Sequence, residues 1–177
     1  MTFQTKADIL KGLQTANEAV THWFEQIPAA AFFVRQGDIW SASDNMDHLI
    51  RANKPIIKAM KLPRLALQTM FGKHTEAGRS YEAVCAFYRA ELAKGAVASG
   101  SFLPDQQQPD DPEGVKREIL SRWVSVSAEL VAQAEKWDEK DLDSYQLPHP
   151  LLGNLSMREM LYFTHYHNLR HASLEGD

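Results

Sequence analysis

Four stretches of this chain place apolar residues three and four apart, and no other pattern in it recurs with comparable regularity. That spacing puts one face of a helix in a core, whereas a half-buried strand would need alternation. From residue 5 to 26 the stripe is Ile9, Leu10, Leu13, Ala16, Val20, Trp23 and Phe24, and Pro28 stops it. A second runs from about Asp44 to Leu62, with Leu49, Ala52, Ile56 and Ala59 inward and Ser43 or Asp44 as N-cap. Pro55 falls inside it, where a lost N–H and a steric clash predict a kink or a break. A third spans about Pro112 to Trp137 on Val115, Ile119, Trp123, Val126 and Leu130, with Asp111 as cap and Pro112 at the first helical position. The fourth starts at Ser156 and runs to about Ser173. Its opening Ser156-Met157-Arg158-Glu159 is a capping box, and Leu155 and Met160 are spaced as a hydrophobic staple. Four such helices predict an all-α fold, an antiparallel four-helix bundle.

Between the second and third helices lies a long excursion. A short helix is expected from about Tyr81 to Lys94, after Ser80 and before Gly95. The following GSFLPDQQQPDDPEG reads as a loop, which either covers a site or is plain surface. The 177 residues fit one domain, 1–177, and can bury a core without disulfides or a structural metal. A net charge of −4 excludes the basic footprint of a nucleic-acid binder. No stretch reaches the roughly 20 apolar residues of a membrane span. The charged N-terminus is unlike a signal peptide. The lone Cys85, read as a buried core residue, suits a reducing compartment. A cytoplasmic protein is expected.

The chemistry-bearing signal is histidine. His167 and His171 are four apart, so they stack on one face of the last helix with Cβ atoms about 6 Å apart. Met160, Phe163, Thr164 and Leu174 share that face, which should point inward. His48 shares the inner stripe of the second helix with Ala52, Ile56 and Ala59. Three neutral imidazoles suit zinc or nickel and leave a position open, the arrangement of catalytic rather than structural sites. The plain alternative is three core histidines, each bonded to a carbonyl or hydroxyl. His165 lies about 160° around the helix from His167 and is expected at the surface or an interface. His149 either shapes its Pro-His-Pro turn or lines the site mouth. Asp44 and Asp47 either complement the helix N-terminus or support His48. Arg170 points off the metal face, and His22 and His74 carry no pattern. There is no G-x-S-x-G, no phosphate-binding glycine loop and no serine or cysteine triad.

Leu147 to His171 reads LPHPLLGNLSMREMLYFTHYHNLRH. With its proline-flanked histidine, glycine, capped helix and final H-x-x-R-H, it resembles the closing signature of the DinB-like superfamily (DinB/YfiT). Trp40 to Leu49, W-S-x-x-x-N-M-x-H-L, resembles the second-helix motif of the same family. The likeness covers most of the chain and is weakest from Arg64 to Asp110. It implies a four-helix bundle whose divalent metal is held by His48, His167 and His171. One departure is Leu174, where many relatives carry glutamine. The resemblance further implies a metal-dependent enzyme acting on a small molecule, a hydrolase or a thiol-dependent transferase. A non-catalytic stress-response module that binds a metal or ligand is the alternative. A homodimer is also expected, because Leu161, Tyr162, Leu169 and Ala172 make the last helix apolar away from its metal face.

Overall fold

The computed structural model describes residues 3–174. Four long helices carry the fold: α1 (Lys6–Gln26), α3 (Ala42–Met60), α6 (Pro112–Glu135) and α8 (Met157–His171). Shorter elements fill the connections: α2 (Ala29–Phe32), α4 (Arg64–Phe71), α5 (Tyr81–Ala93), a 3-10 turn (Gly100–Phe102), α7 (Glu139–Ser144) and a two-stranded hairpin, β1 (Gln146–His149) and β2 (Gly153–Ser156). The all-α bundle is as the periodicity predicts. The hairpin was hidden because its strands are four residues each and interrupted by Pro148, too short for alternation to register. Helix α4 was likewise unread. Only Leu67 of its eight residues is buried, so it has no sustained stripe.

Helix α1 packs on α6 and α8, and α3 packs on the same two, so α1 and α3 share a diagonal. Cross-helix bonds give the directions. Lys6 Nζ bonds the Trp137 carbonyl at 2.8 Å, Trp123 Nε1 donates to Thr21 at 3.0 Å, and Lys116 Nζ bonds the Glu25 carbonyl at 2.9 Å. Helices α1 and α6 are therefore antiparallel. So are α3 and α8, where Asn45 meets His171 and His48 meets His167. Helix α1 runs parallel to α8, since the Phe3 carbonyl accepts from Tyr162 and Asn17 from Asn168. Helix α3 runs parallel to α6, with Arg122 beside Asp47 and Trp137 donating to the Met60 carbonyl.

The last pairing accounts for the long excursion. Parallel neighbours cannot be joined by a tight turn. The chain leaving α3 must climb back the length of a 19-residue helix, about 28 Å at 1.5 Å per residue, before α6 can start. Residues 61–111 make that return, and α5 docks along α8 on the way.

Local signals largely hold. Ser156 and Glu159 form the capping box. The cap of α3 lies two to three residues earlier than expected: Ser41 is the N-cap, and Asp44 is the third helical residue of its capping box. Ser43 and Asp44, the expected caps, are also short and polar, but the reciprocal pair three residues apart is Ser41 with Asp44. Helix α3 is unbroken across Pro55. The proline sits on the exposed side, where water can take the carbonyl it leaves unpaired.

The apolar interior forms two clusters. One contains Leu13, Ile56, Leu130 and Tyr166; the other contains Val20, Ile50, Trp123 and Ala172. Along each bundle helix a buried polar residue falls between members of the two clusters: Asn17, Asn53, Ser127 and Asn168. Asn168 donates to Asn17 Oδ1 at 3.3 Å and Asn17 donates to the Ser127 carbonyl at 3.4 Å.

Candidate metal centre

His48, His167 and His171 come together where α3 crosses α8. Helix periodicity places His167 one turn before His171, and the antiparallel partner brings His48 between them. The ring centroids are 5.0 Å apart for His48 and His167, and 4.6 Å for each other pair. One ligand atom from each ring lies within 4.8 Å of the other two. His48 and His167 are 6% and 4% exposed, and His171 is partly buried. Among the described residues no cysteine, carboxylate or fourth histidine joins this group.

The hydrogen bonds assign the ring protons. His48 Nδ1 is 2.7 Å from the Phe102 carbonyl. A carbonyl only accepts, so His48 carries its proton on Nδ1 and turns a bare Nε2 to the centre. His171 Nδ1 is 2.7 Å from Asn45 Oδ1. The orientation of that amide is itself determined, because Asn45 Nδ2 donates to the Ser41 carbonyl at 2.9 Å and the Trp40 carbonyl at 3.4 Å. His171 therefore also donates from Nδ1 and presents Nε2. His48 Nε2 and His167 Nε2 are 3.1 Å apart, a contact in which His167 must be the donor.

Burial pushes the His48 imidazole below its ordinary pKa, opposed by the Phe102 carbonyl and Asp47. It drives His171 down to about 3, with His48 and Arg170 adding. His167 is held well below its usual range by burial first, then by His171 and His48. All three are neutral at pH 7, the form that binds metal. The donor set fits a divalent ion. With zinc–nitrogen bonds of about 2.0–2.1 Å, tetrahedral ligand atoms sit about 3.3–3.5 Å apart, close to the 3.1 Å between His48 and His167 and inside the 4.8 Å that bounds the three ligand atoms.

Aromatic rings enclose the trio. Phe163 stacks on His167 at 4.9 Å, Trp40 packs against His48 at 5.1 Å and His171 at 6.0 Å, and Tyr88 lies edge-on to His167. The loop after α5 closes one side. The backbone N–H of Asp105 donates to Asp47 Oδ2 at 3.0 Å, and Arg51 bonds both carboxylates. A surface groove of about 570 Å³ between α1 and α6 contains none of the three histidines, and its lining offers no comparable donor group.

Asp44 closes the capping box and pairs with Arg35 at 2.6 Å. Asp47 holds Arg51 and the crossover, so its link to His48 runs through the loop rather than by contact. His149 shapes its turn: Nδ1 accepts from the N–H groups of Leu151 and Leu152, and burial pushes its pKa down to about 4. Its ring also packs on Phe163 at 4.3 Å, one ring removed from His167. His165 is buried, not at the surface. Tyr81 of α5 bonds its Nδ1 at 2.9 Å and Phe3 packs edge-on at 4.8 Å. Helix geometry sets it opposite the metal face, and α5 covers that side. Leu161 and Tyr162 are buried, Ala172 packs with Val20, Phe24 and Trp123, and Leu169 is partly buried against that same cluster. His74 stands 3.7 Å from buried Glu159. Asn45 and the Phe102 carbonyl were not anticipated. Asn45, three residues before His48, was findable from helix spacing; a backbone carbonyl far along the chain leaves no mark in the sequence.

An all-α bundle with three inward imidazoles on two crossing helices defines a class of candidate metal-binding bundle. The profile of the DinB superfamily matches residues 13–174, nearly the whole chain, and the protein belongs to that superfamily. No curated protein and no solved structure matches the chain significantly. No helix among the described residues is long and apolar enough to cross a membrane.

Proposed function

We propose that the protein is a metal-dependent enzyme acting on a small molecule, with His48, His167 and His171 holding one divalent ion, zinc or nickel. The observation that carries this reading is the convergence of three neutral imidazoles with no fourth protein donor among the described residues. A three-ligand set leaves room for a reacting group. When bound, the ion supplies Lewis-acid chemistry, activating an oxygen or sulfur nucleophile or polarising a carbonyl. Hydrolysis and thiol-dependent transfer both use that chemistry. The chain's own residues orient the ligands, and Trp40, Tyr88 and Phe163 pack against them as apolar walls. Protein purified without chelator is expected to carry about one zinc or nickel per chain by elemental analysis. His48→Ala, His167→Ala and His171→Ala should each bring occupancy close to zero, while His165→Ala keeps it. Full occupancy in the His48→Ala protein would refute the ligand set.

The close aromatic cover favours a second reading, a non-catalytic module that holds a metal or ligand in a stress response. Adding a small thiol to cobalt-loaded protein separates the two. An altered visible spectrum indicates an exchangeable position and supports the enzyme, and an unchanged one supports the module.

A further inference from the structure

We propose that Asn45 and the Phe102 carbonyl are positioning groups that preset two of the three ligands, leaving His167 as the one imidazole that changes tautomer on loading. The inference rests on the metal reading for its consequence but not for its first test, which needs no metal.

His48 faces an acceptor that can never donate, the Phe102 carbonyl at 2.7 Å. His171 faces Asn45 Oδ1 at 2.7 Å, and the two bonds from Asn45 Nδ2 to backbone carbonyls oppose an amide flip. Both neutral rings therefore carry the proton on Nδ1 and offer a free Nε2 lone pair before any ion arrives. His167 differs. Its Nε2 lies 3.1 Å from the bare Nε2 of His48, so it must donate there. To ligate through Nε2, His167 must release that proton and carry one on Nδ1 instead. Moving that one proton thus replaces the single hydrogen bond inside the group, His167 to His48, with a third free Nε2 lone pair.

The second positioning group is a backbone atom of the crossover. Its place depends on Asp47, one residue before His48, which accepts the Asp105 N–H at 3.0 Å. The turn over residues 100–105 is in this way part of the centre. It touches the site through a main-chain oxygen, so the dependence is on backbone placement and not on the identity of the Phe102 side chain.

Long-range proton–nitrogen NMR of the metal-free protein at pH 7.5 is expected to show His48 and His171 protonated on Nδ1 and His167 on Nε2. Adding zinc should move the ring proton of His167 alone, from Nε2 to Nδ1, while His48 and His171 keep theirs on Nδ1. Asn45→Ala should weaken zinc binding about 10- to 100-fold in chelator competition, the usual effect of removing a partner from a ligating histidine. Asn45→Asp retains the acceptor but not the donors, and should restore most of the affinity. Asp105→Pro, which removes the backbone donor to Asp47, should weaken zinc about 10-fold. Nε2 protonation of His48 or His171 in the metal-free protein would overturn the proposal, as would parental zinc affinity in Asn45→Ala or Asp105→Pro. If the parent binds no zinc, the functional reading fails while the tautomer assignment is still decided.

Discussion

A buried amide without a protein partner costs about 1–3 kcal/mol, and both polar atoms of Asn53 are in that state. The residue is 1% exposed and lies in the polar layer between the two apolar clusters. Asn168 Oδ1 in the same layer is also unpartnered. Asn53→Leu is therefore expected to raise stability by about 1–2 kcal/mol in urea unfolding, since an apolar group replaces an unsatisfied one. A lower stability would mean that ordered water bridges the amides. Single residues also show where one-dimensional reading stops. His165 and His167 are two apart on one helix and both are buried, one against Tyr81 and Phe3, the other against His48. Helix geometry distinguishes their directions and says nothing about what each direction meets.

At the scale of elements, the start of α8 is the most heavily fastened point. Glu159, 1% exposed, accepts from the N–H groups of Ser156 and Arg79 and from the Arg79 guanidinium at 2.8–2.9 Å. Burial alone would raise its pKa, but Arg79 and the backbone donors hold it below the ordinary carboxylate value. Glu159→Ala removes the reciprocal cap and unpairs a guanidinium that is still partly solvated. A loss of about 2–3 kcal/mol is expected from calorimetry or urea unfolding. A loss under about 0.5 kcal/mol would show that α8 is held by packing alone. Because His167 and His171 ride on this helix, the same variant should loosen the metal centre without touching it. The start of α3 has the same construction in Ser41 and Asp44, so both ligand-bearing helices begin at a capping box.

At the scale of the whole molecule, five imidazoles stay neutral inside the fold. Burial lowers His48, His149, His165, His167 and His171, with His149 and His165 falling to about 4 and His171 to about 3. In the unfolded chain these rings take up protons from about pH 6.5 downward. The unfolded state then binds more protons than the native one, so stability falls as pH drops from about 6.5 toward 4. Thermal melting should show a lower midpoint at pH 5 than at pH 7.5. Bound metal adds a further gain at pH 7.5 that fades at pH 5, because protons compete for its ligands. Chelation at pH 7.5 should lower the midpoint yet leave the helical signal at room temperature, since both apolar clusters are built without the ion. Helix loss on chelation would make the metal structural.

By itself the sequence determined the four long helices, the capping box at Ser156, and the inward faces on which His48, His167 and His171 stand. These are properties of neighbours within a turn or two, and a period of 3.6 residues or a serine three residues before a glutamate is enough to express them. Tertiary structure decided the rest. It set α3 parallel to α6 and so made the crossover necessary. It laid α5 over His165 and the outer face of α8, and it brought the Phe102 carbonyl to His48 across 54 positions of chain. Such contacts join residues with no fixed spacing, and one of the two groups is a backbone atom that every residue possesses. Their free energy depends on which surfaces remain to be covered once the helices exist, and only the assembled bundle specifies that.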